Sequence, residues 1–242
     1  MSLFLFMANE FTHTEQNYIK AIYHLSKKEG TTAYTQEVAA AMSTSSASAT
    51  DMIKKLTEKG LLAYVPYRGA KLNKKGEKTA LSIIRRHRLW ELFLTKVLKF
   101  KWDEVHPMAE ELEHVSSDLL LQRIDKYLSH PKFDPHGDPI PDMNGKLSET
   151  SNCALSNLNI NQSGVISGVS KHSPDFLRYL EQNGLVLSSR IKIIAFHSFD
   201  KSMDLVINGK KTLHISYQVA SNILVKEKPN TDKSFKNNTS VS

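Results

Sequence analysis

Residues 35–60, TQEVAAAMSTSSASATDMIKKLTEKG, decide how the first part of this chain folds. Apolar residues recur at helical spacing on both sides of a polar turn at residues 43–46. This pattern predicts helices over 35–42 and 47–59, and Gly60 is a typical residue for the end of the second helix. Two short helices joined by a brief turn form a helix-turn-helix, whose second helix enters the major groove of DNA.

The flanking sequence extends this unit to a winged helix-turn-helix domain, which we expect over residues 1–73. Residues 15–28 predict an earlier amphipathic helix. Residues 61–72, LLAYVPYRGAKL, predict a β-hairpin, either a DNA-contacting wing or an ordinary structural hairpin. Hydroxyl and charged side chains can bond to phosphates and base edges, and those expected to contact DNA are Thr35, Ser45, Ser46, Ser48, Thr50, Asp51, Lys54, Lys55 and Arg68.

The charge distribution supports a polyanionic partner. The net charge is +7, and residues 54–88 hold eleven Lys/Arg and two Glu, a local charge of +9. Residues 102–118 hold six Asp/Glu and no Lys or Arg. A basic stretch beside an acidic one suggests a nucleic-acid surface next to a cation-binding one.

The single cysteine, Cys153, excludes an intrachain disulfide framework and a Cys-rich zinc finger. This is consistent with a cytoplasmic protein. The first residues, MSLFLFM, are apolar but too short to span a membrane, and they lack the features of a signal peptide.

Metal-ligand residues cluster in residues 109–118, AEELEHVSSD, within a predicted helix over 102–119. Glu110, Glu113 and His114 are spaced i, i+3 and i+4, so they leave one helix face, and His106 falls on the same face. Carboxylates and imidazoles together suit Mn²⁺, Fe²⁺ or Zn²⁺. The alternative is a solvated acidic face, which is the commoner role of a charge run.

A second pair of candidate ligands favours the metal site. His87 and Glu91 are spaced i, i+4 in residues 84–94, IRRHRLWELFL, on an otherwise apolar and basic helix predicted over 74–99. A carboxylate on a core-facing stripe needs a partner, because an unpaired buried charge is costly. Two helices that both carry ligand-type residues make a metal site the better interpretation.

The remaining sequence completes a mainly α fold. A further helix is predicted over 118–128, and the apolar helices predict a metal-binding and dimerisation domain over 74–143. The proline-rich segment 131–141 predicts an extended loop. We expect a linker over 144–163, a small SH3-like β-barrel domain over 164–228 with a helix ending at Gly184 and a turn at Asn208-Gly209, and a disordered tail over 229–242.

Together these motifs resemble the diphtheria toxin repressor family of iron- and manganese-dependent transcription regulators. YIKAIYHL at 18–25 resembles the first helix of the family. RHRLWELFL at 86–94 and HPMAEELEHVSSD at 106–118 resemble its two metal-binding helices, and GDPIP at 137–141 resembles the signature that follows them.

The resemblance implies two metal positions. The primary, activating position would use Asn17, Glu110, Glu113 and His114. Relatives carry Met or Asp where Asn17 stands, and iron-type members carry a thiol where Glu110 stands. Lys20 occupies the position of a further Glu ligand in manganese-type members, which argues against their closely spaced two-metal cluster. The ancillary position would use His87, Glu91, His106, His172 and Asp175.

The expected function is that of a metal-activated repressor of metal-uptake genes, which binds palindromic operator DNA as a homodimer. Mn²⁺ or Fe²⁺ is the expected cofactor, and no enzymatic activity, membrane association or small-molecule substrate is expected. One alternative is a metal-dependent hydrolase, although no HExxH or nucleophile motif is present. Another is a constitutive DNA-binding protein whose acidic helix is a dimer face.

Overall fold

The computed structural model describes residues 11–29, 32–65, 69–115 and 117–228. The chain divides into two compact units. The first takes in the described residues up to Phe100, together with Val105–Asp134 and Pro139–Ser148. The second takes in Lys101–Glu104, Pro135–Asp138 and the described residues from Glu149 onwards.

The first unit begins with the predicted helix-turn-helix. Helices α1 (His13–Glu29), α2 (Thr35–Ala41) and α3 (Ser46–Glu58) precede an antiparallel hairpin of β1 (Leu62–Val65) and β2 (Gly69–Leu72). Ser45 caps α3, because its side chain accepts a hydrogen bond from the Ser48 N–H. Fully buried Ile19, Ile22, Ile53 and Leu56 join the helices in one core.

Three further helices complete this unit: α4 (Lys74–Lys96), α5 (Val105–Leu112) and α6 (Asp118–Tyr127). Asn73 caps α4 by accepting from the N–H groups of Lys75 and Gly76. Gly76 packs so closely that an added Cβ would lie 2.3 Å from the Leu61 carbonyl oxygen, which places the start of α4 directly against the base of the hairpin. Leu89, Leu92, Ala109, Leu121 and Ile124 form a second core between the three helices.

Within its described residues, the second unit forms a six-stranded antiparallel sheet with two α-helices. Its strands are β3 (Cys153–Ala154), β4 (Ser163–Val169), β5 (Arg190–Phe196), β6 (Met203–Ile207), β7 (Lys211–Ile215) and β8 (Ile223–Lys228), in the order β3-β8-β4-β5-β6-β7. Helix α7 (Pro174–Asn183) ends at Gly184, whose φ is 77°, and α8 (Tyr217–Ala220) precedes β8. Alternate residues of β6, namely Met203, Leu205 and Ile207, point into the core.

The helix predicted over 102–119 is wrong in its extent, because α5 covers only Val105–Leu112. Pro107 lacks the N–H that would bond to the carbonyl of residue 103, so the helix cannot begin a full turn earlier. At the other end Ser117 caps α6, and the chain must leave the helical conformation before it. Glu113 still donates its N–H to the Ala109 carbonyl, and the candidate ligands Glu113 and His114 lie in the turn after α5.

The segment predicted as a linker over 144–163 contains ordered structure from Cys153 onwards. Cys153–Ala154 pairs with β8, and a short 3₁₀ helix, Leu155–Asn157, follows. Leu155 and Leu158 are buried in the core of the second unit. The predicted disordered tail, 229–242, lies outside the described residues. No described helix has both the length and the apolarity needed to cross a membrane.

Candidate metal centre and DNA-binding face

Helix α3 presents a polar face. Ser46, Ser48, Asp51 and Lys54 are exposed, and Asp51 and Lys54 form a loose pair at 4.0 Å. The Thr50 hydroxyl donates to the Ser46 carbonyl at 2.7 Å. Of the other expected DNA contacts, Thr35 is the half-buried first residue of α2, and Arg68 lies outside the described residues.

Lys55 belongs to a contact that the sequence did not predict. Its ammonium lies 3.1 Å from Oε1 of Glu15 on α1, and the Lys59 ammonium lies 2.6 Å from the same oxygen. Burial raises the pKa of Glu15, but the hydrogen bonds from Lys59, from the Thr12 backbone and from Lys55 outweigh burial and lower this pKa from 4.5 to about 2. The charged carboxylate therefore ties α3, the second or recognition helix of the helix-turn-helix, to α1. Nothing in the periodicity of either helix signals this pair.

Three candidate ligands converge between α4 and α5. Nε2 of His87 lies 3.1 Å from Oε1 of Glu91 and 3.1 Å from Nδ1 of His106, and His106 Nδ1 lies 3.3 Å from Glu91 Oε1. His87 and Glu91 are buried, and the His106 side chain is 49% exposed. Two imidazole nitrogens and one carboxylate oxygen within 4.8 Å of one another, open to solvent on one side, fit a divalent first-row ion.

Glu113 orients the first of these ligands. Its Oε2 lies 2.6 Å from Nδ1 of His87, so the ring directs Nε2 towards Glu91 and His106. A carboxylate on the far nitrogen of a ligating histidine fixes the ring and increases its basicity. Burial lowers the pKa of His87, but hydrogen bonds to Glu113 and Glu91 outweigh burial and raise this pKa to about 9. A bound ion would therefore replace a proton at Nε2.

The other oxygen of Glu113 has a partner on α1. The Lys20 ammonium lies 2.6 Å from Glu113 Oε1 and 3.8 Å from Glu110 Oε1. Glu113 has no exposed side-chain surface, whereas Glu110 is half exposed. Burial raises the pKa of Glu113, but His87 and Lys20 outweigh burial and lower this pKa, so the carboxylate is charged. The primary set thus contains a side-chain cation, and its donors fit a metal ion only after Lys20 moves away.

His114, the remaining primary candidate, is held by α1. Its Nδ1 lies 3.1 Å from Oε1 of Gln16, which also accepts from Arg86 at 2.9 Å. The ring stacks on His13 with centroids 4.2 Å apart, and burial lowers the pKa of His114, so the imidazole is neutral at pH 7. Among the described residues, helix α1 contacts this set through His13, Gln16 and Lys20, and Asn17 is half-buried on the same helix. The sequence did not single out Gln16.

The last two candidates, His172 and Asp175, lie in the second unit. The His172 ring contacts the His136 ring edge-on, with centroids 4.9 Å apart. Asp175, in the first turn of α7, is paired with Arg178, which also reaches Asp103 at 3.3 Å. Each residue has partners within its own unit.

Three family models match successive parts of the chain. Residues 10–70 match the iron-dependent repressor N-terminal DNA-binding domain, residues 73–142 match the iron-dependent repressor metal-binding and dimerisation domain, and residues 153–227 match the FeoA domain. A solved manganese-dependent transcriptional repressor in complex with manganese is 33% identical, with a TM-score of 0.78 over 88% of this chain and 100% of that one. The chain belongs to the diphtheria toxin repressor family.

Other members of the diphtheria toxin repressor family align over most of their length. The iron-dependent repressor IdeR of Mycobacterium leprae is 27% identical over 90% of this chain and 99% of its own length. The diphtheria toxin repressor of Corynebacterium jeikeium is 26% identical over 78% of this chain and 81% of its own. These matches confirm the predicted family and the predicted fold class: a DNA-binding domain, a helical metal-binding and dimerisation domain, and a small C-terminal β domain. The diphtheria toxin repressor family comprises transcriptional repressors and not enzymes.

Proposed function

We propose that this protein is a cytoplasmic repressor of metal-uptake genes that binds palindromic operator DNA as a homodimer when it is loaded with Mn²⁺ or Fe²⁺. The observation that carries the proposal is the convergence of His87, Glu91 and His106 in the same compact unit as the helix-turn-helix. A protein that only bound DNA would have no need of two imidazoles and a buried carboxylate at one point, since burying such groups is costly.

Two ion positions belong to the proposal. The ancillary position uses His87, Glu91 and His106, with His172 and Asp175 as further candidates. The primary position uses Glu110, Glu113 and His114, with Asn17 as its ligand from α1. The two sets differ in whether an ion can bind without a rearrangement, because in the primary set the Lys20 ammonium already contacts Glu113. The ancillary set is therefore the one that we expect to fill first.

The coupling to DNA runs through α1. The buried Glu15 carboxylate holds Lys55 of α3 and Lys59, the residue just after α3, while Gln16 and Lys20 hold His114 and Glu113 in the turn after α5. A bound ion supplies fixed positive charge between α4 and α5. The contacts of Gln16 and Lys20 with the metal-binding segment then determine the position of α1 in each protomer. Because Glu15 joins α1 to α3, they also determine the position of α3.

Operator binding requires both recognition helices to enter major grooves about one helical turn apart, roughly 34 Å. A dimer in which the two α3 helices have this spacing can bind DNA. An ion that binds this conformation more tightly than the other conformations shifts the population towards it. The exposed Ser46, Ser48 and Lys54 on α3 are the proposed phosphate and base contacts.

The test uses an operator selected from a randomised duplex pool by the Mn²⁺-loaded protein. Fluorescence anisotropy then compares DNA affinity in Mn²⁺ and in excess chelator. Wild type and the control His24→Ala, an exposed histidine on α1, should bind only with Mn²⁺. His106→Ala should require far more Mn²⁺ for the same affinity.

The same assay separates the alternatives. Equal affinity in Mn²⁺ and chelator would favour the constitutive DNA-binding protein. Metal-dependent cleavage of the duplex would favour the hydrolase. Activation of His106→Ala at the wild-type Mn²⁺ concentration would place the sensing ion away from His87 and Glu91.

A further inference from the structure

A second cluster of metal-ligand side chains lies in the C-terminal unit. Asp204 on β6 and His214 on β7 stand directly opposite each other in the antiparallel register. His197 follows β5 immediately, and its N–H donates to the Ser202 carbonyl at 2.9 Å. Asp204 and His214 therefore project from the face opposite the core residues Met203 and Leu205, and His197 lies at the end of the neighbouring strand β5.

The two imidazoles meet at one carboxylate. Nε2 of His197 lies 3.0 Å from Oδ2 of Asp204, and Nδ1 of His214 lies 2.6 Å from Oδ1. One ligand atom from each of the three residues lies within 4.8 Å of the other two. Ligand atoms bound to one Zn²⁺ lie about 2.0–2.2 Å from the ion, so small side-chain rotations bring these three around a common centre.

We propose that His197, Asp204 and His214 form a separate site for Zn²⁺ or a similar late first-row divalent ion. Two imidazole nitrogens are borderline ligands that suit this class, and Zn²⁺ also accepts a carboxylate oxygen. Three protein ligands leave a coordination position for water, because all three side chains are partly exposed. The proposal is independent of the repressor function, since its residues lie on a different unit from His87, Glu91 and His106.

The scaffold favours a site over a chance surface contact. Two of the ligands lie on strands whose ladder is continuous from Met203↔Ile215 to Ile207↔Lys211, so their separation is fixed by backbone hydrogen bonds. The neighbouring cation Lys201 is directed elsewhere, with its ammonium 5.6 Å from the centre of the Tyr217 ring.

The experiment is a titration of the full-length, tag-free protein with Zn²⁺ alone, followed by isothermal calorimetry and by the imidazole resonances in NMR spectra. The variants are His214→Ala and Asp204→Asn, and the control is Thr212→Ala, an exposed residue two positions away on the same strand. We expect both variants to bind one fewer Zn²⁺ per chain than wild type and the control to bind the same number. In wild type the His197 and His214 resonances should shift together at one Zn²⁺ equivalent.

Operator affinity in Mn²⁺ provides the second measurement, and it should be unchanged in all three variants. Equal Zn²⁺ stoichiometry in wild type and His214→Ala would overturn the proposal. So would His197 and His214 resonances that stay in place while Zn²⁺ binds. If wild type showed no metal-dependent DNA binding, the proposed repressor function would be wrong, but the proposal of a Zn²⁺ site at His197, Asp204 and His214 would be unaffected.

Discussion

The Lys20 ammonium lies 2.6 Å from Oε1 of Glu113, a carboxylate with no exposed side-chain surface. The pair joins α1 to the turn after α5 and neutralises a buried charge without a metal ion. Because the second oxygen of Glu113 holds His87, the lysine also stabilises the orientation of an ancillary ligand.

Lys20→Met should destabilise the ion-free protein and increase its response to Mn²⁺. Removing one partner of a buried ion pair costs about 3–5 kcal/mol, and the remaining His87 contact should reduce the loss to about 2–3 kcal/mol. Mn²⁺ should restore more stability to this variant than to wild type, because Glu113 and Glu110 become available as ligands. Denaturant unfolding in chelator and in Mn²⁺ measures both effects.

The control for that change is Lys27→Met, an exposed lysine on the same helix. The unfolding free energy of Lys27→Met should match that of wild type within about 0.5 kcal/mol. If Lys20→Met were as stable as wild type in chelator and gained no more from Mn²⁺, the Lys20–Glu113 pair would have no role in metal binding.

Glu15→Gln should remove a stabilising contribution that depends on pH. A carboxylate whose pKa is lowered from 4.5 to about 2 stabilises the folded state above pH 4.5, and this contribution is lost as the pH falls towards 2. At pH 7 the unfolding free energy of wild type should exceed that of the variant by about 2 kcal/mol. The difference in unfolding free energy should shrink below pH 4.5 and disappear near pH 2. A difference that stayed constant between pH 7 and pH 3 would show that the Glu15 charge is not what stabilises the contact.

Lys54→Ala and Lys55→Ala should differ, although the two lysines are adjacent on the recognition helix. Lys54 is exposed, with a 4.0 Å contact to Asp51, so its loss should weaken DNA binding and reduce the salt slope by about 1 without changing stability. Lys55 is paired with Glu15, so its loss should also lower stability. Salt-dependent anisotropy and thermal unfolding of both variants provide the comparison, and identical behaviour of the two would contradict the division of roles.

Glu110→Cys should shift activation towards thiophilic ions. Glu110 is the half-exposed carboxylate of the primary set, and thiolates prefer softer ions than Mn²⁺. DNA affinity at saturating Mn²⁺, Co²⁺ and Zn²⁺ measures activation separately from metal affinity. An unchanged order of activation would argue that Glu110 is not a ligand. Glu111→Cys, at the exposed neighbouring position, controls for the presence of a thiol.

The sequence predicted the elements whose signals are local. The spacing of apolar residues located α1 to α4, and the turn at Asn208-Gly209 located the β6–β7 hairpin. Helical spacing singled out the pair His87 and Glu91, and the family resemblance added His106 to them; these three side chains converge in the structure. These patterns repeat at 3.6 or 2 residues, and the fold follows them directly.

Contacts between distant residues left no such signal. Glu15 with Lys55, and Gln16 with His114, are separated by 40 and 98 positions, and nothing in either local pattern marks the partner. Strand β3 was missed because two residues, Cys153 and Ala154, are too few to show an alternating pattern. The early end of α5 was missed because the same ligand spacing also fits a helix that ends at Leu112 and continues as a turn.

Helix α1 carries Glu15 and Lys20 five residues apart, about 7.5 Å along its axis. Glu15 contacts the recognition helix through Lys55, and Lys20 contacts the metal-binding segment through Glu113. In the proposed mechanism this one helix couples ion binding to DNA binding, and such coupling is reciprocal: whatever factor the ion adds to DNA affinity, DNA adds to ion affinity. A protomer on its operator would then bind its ion more tightly than a free protomer in the same cell. During metal starvation the free protein would lose its ions first. Derepression of the gene would then depend on the ion affinity of the DNA-bound form.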